Sequence, residues 1–184
     1  MKSIDIVFPE NNEKKLIEIA KAFGTKELVF VYHPQDYKEY KNNEKGITIK
    51  TAVISAPKEV RDAMKKWQYV VVQSNKETDR WVMEHAKPWL MYGFENDEKK
   101  DFMHHRNSGI DHILAKIMKE NKIIYGFSVS QLIHADSVKR ALLLGRLQQN
   151  LMLAKKYSII MILASFSSDP MDMRNWKDVE CLLQ

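Results

Sequence analysis

The sequence predicts an α/β protein built on parallel strands, and three observations carry that prediction. Seven short runs rich in β-branched and aromatic residues alternate with segments of helical period. Several runs are apolar without interruption, such as ELVFVY at Glu27–Tyr32, which is how strands read when both faces are covered. Strands that alternate with helices pair in parallel through right-handed crossovers. Two architectures satisfy this pattern, an α/β barrel and an open doubly wound sheet.

The expected strands are Ser3–Phe8, Glu27–Tyr32, Gly46–Ser55, Tyr69–Gln73, Trp89–Phe94, Ile123–Val129 and Ser158–Leu163. The expected helices are Glu13–Ala22, Lys58–Lys65, Lys76–His85, Ile110–Glu120, Ser137–Tyr157 and Trp176–Leu183. Two polar stretches, His33–Lys45 and Phe94–Asn107, read as solvated loops, neither long enough to link domains. One domain over residues 1–184 is therefore expected, and a globular chain of this size buries about 70% of the surface its unfolded form exposes.

Apolar residues make up 45% and charged residues 29% of the chain, a globular mixture rather than a disordered one. The longest apolar runs, such as Ile159–Ala164, fall far short of the roughly 20 residues a membrane span requires. No secretory leader pattern is expected, because Asp5 precedes any apolar segment. The single cysteine, Cys181, excludes an internal disulfide and a C-x-x-C metal site, and a reducing cytoplasm is the natural setting. The net charge of +5 permits a polyanionic partner without identifying one.

The motifs of common chemistries are missing. The sequence has no G-x-G-x-x-G, no G-x-x-x-x-G-K, no G-x-S-x-G and no H-E-x-x-H, so no cofactor and no catalytic residue are expected. The histidines do not form a ligand set: His104 and His105 are adjacent and diverge, and His134-x-Asp136 is a weak pattern. No metal is expected. Asp111 and His112, as helix neighbours, do not face each other. Asp111 suits the first turn of a helix, where its charge complements the macrodipole.

The long helix Ser137–Tyr157 is the most informative element. Val138, Ala141, Leu142, Gly145 and Met152 suggest an apolar face, and Lys139, Arg140, Arg146, Gln149 and Lys156 fill much of the rest. That polar stripe is either an ordinary solvated face or a phosphate-contacting one, for which the planar fork of arginine is the better ligand. Aromatic residues are not interleaved with the basic ones, so stacking on single-stranded bases is not indicated.

The stretch from Arg106 to Leu183 carries a resemblance. Arg106-Asn107-Ser108-Gly109-Ile110-Asp111-His112-Ile113-Leu114-Ala115-Lys116 looks like a basic loop entering a helix at an N-x-[VI]-L-A-K pattern, with Asp111 in place of its Asn. A strand at Lys122–Val129 follows, then Ser130-Gln131-Leu132-Ile133, then the basic helix, then a Ser-rich turn at Ala164–Ser168, and finally Met173-Arg174 before a helix with Asp178, Val179 and Leu182. In this order the pieces resemble archaeal ribonuclease P protein component 3. The N-terminal half agrees in strand–helix order and in its Asp-Ile-Val-Phe-Pro start.

The resemblance implies a TIM-barrel-like α/β fold, related to metal-dependent phosphoesterase barrels but without their metal ligands, and not fully closed. Two departures bear on this. Gly126 stands where relatives often carry an acid, and relatives continue through another short unit beyond Gln184. The implied function is a subunit of ribonuclease P, the endoribonucleoprotein that removes the 5′ leader of precursor tRNA and in which the RNA is the catalyst. The implied partners are the ribonuclease P RNA, precursor tRNA indirectly, and a component 2-like protein subunit, as a heterodimer or heterotetramer, with no membrane. The motif match selects Arg106, His112, Lys116 and Arg174 for RNA contact, and charge with helical position adds Arg140, Arg146 and Lys177. Competing readings are an active metal-dependent phosphoesterase and a small-molecule barrel with a basic anion pocket.

Overall fold

The computed structural model describes residues 3–40, 44–97, 100, 101 and 103–183. Seven parallel strands, β1 (Ile4–Val7), β2 (Glu27–Tyr32), β3 (Thr48–Ile54), β4 (Val70–Gln73), β5 (Leu90–Tyr92), β6 (Ile124–Ser128) and β7 (Met161–Ala164), lie side by side in chain order. The main helices are α1 (Glu13–Ala22), α2 (Val60–Lys66), α3 (Asp79–Trp81, running on into a π-helical turn Val82–Ala86), α4 (His112–Asn121), α5 (Val129–His134), α6 (Ser137–Tyr157) and α7 (Trp176–Glu180). The order is that of a TIM-like barrel, as the resemblance implies.

Alternation along each strand explains the continuous apolar runs. Val29, Val31, Val71, Leu90 and Ile162 turn into the barrel, whereas Leu28, Phe30, Val70 and Val72 pack outward beneath the helices. A strand covered on both faces has no polar position to spare.

The circle closes at a seam between β7 and β1. An isolated parallel bridge pairs Val7 with Ser167, Phe8 N–H donates to the Ser167 carbonyl at 3.0 Å, and Phe166 N–H donates to the Ile6 carbonyl at 2.7 Å. The Asp5 carboxylate completes the join. It accepts from Ser165 N–H at 2.7 Å and from Ser165 Oγ–H at 2.9 Å, across 160 residues of sequence. Burial pushes the Asp5 carboxyl up to about 6, despite those hydrogen bonds.

Inside the barrel, Phe166 has a left-handed backbone (φ 46°) and stacks on Tyr92, ring centroids 4.6 Å apart. Gly126 makes room for it: a Cβ there would lie 2.8 Å from Phe166 Cζ and 3.0 Å from Leu90 Cδ2. An acid at position 126 is incompatible with this packing.

Three local expectations are corrected. The helix expected from Ile110 starts at His112, because Asp111 is its N-cap, accepting from Ile113 N–H at 2.9 Å and Leu114 N–H at 2.8 Å. The short helix α5 has too few turns to show a period. The apolar face of α6 is not the expected one: Val138 is 79% and Met152 66% exposed, while Arg146 and Asn150 are buried beside Leu143 and Leu147.

Candidate nucleic-acid interface

The connection from β5 to α4, residues 93–111, is not the solvated loop its composition suggests. Phe94, Glu95, Asn107 and Ser108 are buried, and three polar residues of α6 hold the segment down. Residues 98, 99 and 102 lie outside the described residues.

Arg146 is the first of these. It is 0% exposed, and its Nη1 donates to the carbonyls of Glu95 at 2.7 Å and Asp97 at 2.6 Å, while Nε donates to Asp101 Oδ1 at 2.9 Å. It is therefore withdrawn from the predicted RNA contacts. A guanidinium with several donors in a rigid fork can satisfy carbonyls that turn away from any regular ladder.

Gln149 is the second. Its Oε1 accepts from Arg106 N–H at 2.9 Å, and its Nε2 donates to the Arg106 carbonyl at 3.0 Å and to Ser108 Oγ at 2.7 Å. Asn150, the third, donates to the Ser108 carbonyl at 2.9 Å and to Glu95 Oε1 at 2.7 Å. Tyr125 Oη–H donates to the same Glu95 oxygen. Burial pushes the Glu95 carboxyl up to about 7, against the pull of Tyr125, Asn150 and Arg146.

The product is a fixed perch for Arg106. Its guanidinium lies over Gly145, where a Cβ would stand 2.4 Å from Arg106 Cζ, so a larger residue at 145 would push the guanidinium aside. Its Nη1 pairs with Asp101 Oδ2 at 3.1 Å, and 49% of the side chain remains exposed. Asp101 is drawn both ways. Burial raises its pKa, but hydrogen bonds from Arg146, Asn107 and Arg106 outweigh it and hold the carboxyl below its usual range.

His112 and Lys116 stand one helical turn apart on α4, both exposed, just beyond the Asp111 cap. Arg140 is exposed as a residue, yet its guanidinium is engaged. Nε donates to the Leu132 carbonyl at 2.8 Å and Nη2 to that of Ala135 at 2.8 Å, closing the end of α5. Arg174 Nη1 donates to the carbonyls of Met171 and Met173, both at 2.8 Å, leaving the rest of the fork outward. Lys177, in the first turn of α7, is exposed beside the Trp176 ring. Arg106, His112 and Lys116 thus share one βα unit. Arg140 follows β6 and Arg174 follows β7, and loops after parallel strands gather at the same end of a barrel; Lys177 lies in α7, whose Trp176, Val179 and Glu180 line a cavity with Ile4, Glu27 and Ile124 at the amino ends of the strands.

The residues that sequence reading missed are Glu95, Tyr125 and Asn150, whose partners lie tens of positions away, and Asp101, which joins the nearby Arg106 and Asn107 to the distant Arg146. His134 was read with Asp136, but the fold separates them. His134 Nε2 meets Asp172 Oδ2 at 2.6 Å, while Asp136 caps α6 by accepting from Lys139 N–H at 2.8 Å. Among the described residues, no group of three or more His, Cys, Asp or Glu is placed to hold a metal ion. The donor set of a metal-dependent phosphoesterase is therefore not assembled by them. No helix among the described residues is long and apolar enough to cross a membrane.

No protein-family model matches the chain. Curated relatives do. Ribonuclease P protein component 3 of Methanosarcina acetivorans is 36% identical over 70 residues, covering 38% of this chain and 29% of that protein. The protein of the same name from Methanococcus maripaludis strain C5 is 27% identical over 181 residues, covering 90% of this chain and 74% of the relative. The match thus spans less than a third of the first relative's length and about three quarters of the second's. Among solved structures, a chain in the cryo-EM structure of archaeal ribonuclease P with mature tRNA superposes over 98% of this chain and 80% of its own, with a TM-score of 0.76 at 20% identity. The chain is similar in sequence to archaeal ribonuclease P protein component 3, and in fold to a chain of the archaeal ribonuclease P particle.

Proposed function

We propose that this chain is a protein subunit of ribonuclease P, the endoribonucleoprotein that removes the 5′ leader of precursor tRNA in the cytoplasm. It acts by binding and supporting the catalytic RNA together with a component 2-like protein, as a heterodimer or heterotetramer. The polypeptide itself supplies no catalytic group. The observation that carries this reading is the likeness in fold, over nearly the whole chain, to a chain of the ribonuclease P particle, combined with the name shared by its curated relatives.

The geometry adds a rationale for where RNA binds. A phosphate-binding arginine works best when its approach is fixed beforehand, because ordering a loop on binding consumes affinity. The main chain of Arg106 is held in that way by Gln149, and its guanidinium is steadied by Asp101. Arg106, His112, Lys116 and Arg174 form the proposed contact set, with the free part of Arg140 at its edge and Lys177 set apart on α7. A modest net charge of +5 fits a protein that shares its RNA with a second subunit, since joining two binding modules makes the second contact effectively intramolecular.

Reconstitution tests the proposal. The purified chain and a component 2-like subunit are mixed with ribonuclease P RNA, and 5′ leader removal is followed. Cleavage that requires the RNA and rises when both proteins are present is expected. Mg²⁺-dependent cleavage by the protein alone, with no RNA subunit, would overturn the scaffold reading in favour of a phosphoesterase.

A further inference from the structure

The carboxyl end of the barrel opens into a cavity of about 790 Å³, within the roughly 300–1,000 Å³ range of small-ligand sites. Its chemistry opposes that of the proposed RNA contacts. Among the described residues, five carboxylates line it, Glu10, Glu13, Asp36, Asp169 and Asp172, against one lysine, Lys38, and two histidines, His33 and His134. Lys38 is committed to Glu13 at 3.9 Å and Asn11 at 3.3 Å, and Asp172 to His134. Glu10 and Asp36 have no cation beside their carboxylates among the described residues. A basic anion pocket is the reverse of what the fold builds here.

The floor is aromatic. Tyr92 lies stacked on Phe166, with Phe8 tilted against both at about 6 Å between centroids. Tyr92 is 7% exposed, lines the cavity, and its hydroxyl has no hydrogen-bond partner among the described residues. The ring is buried, while the hydroxyl stays accessible at the cavity wall. Burial alone pushes Tyr92 up to about 12, so at neutral pH it is a neutral hydroxyl with its oxygen open to a donor.

We propose that this mouth is a binding site for an organic cation, an ammonium or guanidinium group that donates to the Tyr92 hydroxyl, rests over the aromatic floor and is held by the surrounding carboxylates. An anion is repelled by five carboxylates. A bare metal ion needs several ligands converging at about 2 Å, and the described residues provide no such group. A large, weakly hydrated cation needs only dispersed negative charge and a π face, and both are present. The group could arrive on a free polyamine or on a basic side chain of a partner protein. The inference does not depend on the ribonuclease P reading.

Calorimetric titration of the full chain at low salt, with spermidine in one arm and N-acetylarginine amide in the other, tests it. One saturable site per chain is expected in at least one arm. Stronger spermidine binding assigns a polyamine, and stronger arginine binding a protein side chain. Tyr92→Phe keeps the stack but removes the hydroxyl, and should weaken binding by about threefold to tenfold. The double variant Glu10→Gln, Asp36→Asn should weaken it about tenfold or more, while Asp62→Asn, on α2 away from the cavity, should not. Thermal melts of each variant confirm that it folds. Binding that is weak, unsaturable and equal in all variants overturns the proposal, as does saturable binding of inorganic phosphate or of Mg²⁺ at the same site.

Discussion

Gln149 holds Arg106 by its main chain rather than by its charge, accepting from the amide N–H at 2.9 Å and donating to the carbonyl at 3.0 Å. One side-chain amide thereby does for the loop what a neighbouring strand would do. The guanidinium stays available while the backbone beneath it is fixed.

Gln149→Ala should therefore weaken binding of ribonuclease P RNA by about threefold to tenfold without removing any positive charge. The slope of log affinity against log salt should stay within the error of the parent protein, because no phosphate contact is lost. Filter binding over a salt series reads both. An unchanged affinity would mean that the perch does not matter to RNA.

The two arginines of this region should behave in opposite ways. Arg146→Ala removes one of the three donors to Asp101 and this guanidinium's bonds to the carbonyls of Glu95 and Asp97, and should cost about 3–5 kcal/mol of stability in urea unfolding. Arg106→Ala and Arg174→Ala should each cost under about 1 kcal/mol, but each should reduce the RNA salt slope by about one unit. If Arg106→Ala unfolds the protein and Arg146→Ala only weakens RNA binding, their roles are reversed.

Stability should fall as pH rises from about 4 to 7. Asp5 and Glu95 are buried acids whose folded values lie near 6 and 7, above their ordinary 3.8 and 4.5. Within that window the folded chain still holds protons that the unfolded chain has released, so raising pH favours unfolding. Asp5 alone accounts for a loss on the order of 3 kcal/mol across its window. Asp5→Asn should flatten the lower part of the stability–pH curve and Glu95→Gln the upper part. A parent curve that rises over pH 4–7, with no change in either variant, would contradict the assignment.

Gly126→Ala should destabilise the barrel by about 1–3 kcal/mol, because the added methyl meets Phe166 and Leu90 at or below 3.0 Å. The near-ultraviolet circular dichroism of the Tyr92–Phe166 stack should change with it. A variant with native stability and an unaltered spectrum would mean that Phe166 has other places to go.

Most strands were legible because they are apolar on both faces, and that signal is local. Closure was not: whether seven such strands form an open sheet or a barrel turns on Asp5 meeting Ser165, a pairing no periodicity reveals. The placement of the proposed RNA contacts was legible in part. Arg106, His112 and Lys116 are exposed where the motif placed them. Arg146 was misassigned because a helical wheel assumes that charge faces water, and here the carbonyls of the loop give the charge a reason to be inside. Glu95 reads as one more loop acid until Tyr125 and Asn150 are seen around it.

The seam also sets how this molecule breathes. Six of the seven strand boundaries are joined by regular ladders, while the seventh relies on two main-chain hydrogen bonds, Phe8 to Ser167 and Phe166 to Ile6, and one carboxylate. A ring with one weak link opens there first, as a clasp does. Amide hydrogen exchange at Phe8, Ser165 and Phe166 should therefore proceed by a partial unclasping that leaves the β2–β3 ladder protected. Because Phe8 and Phe166 are also part of the floor of the cavity, whatever fills the mouth would hold the clasp shut, so that occupancy slows the exchange of amides on strands it never touches.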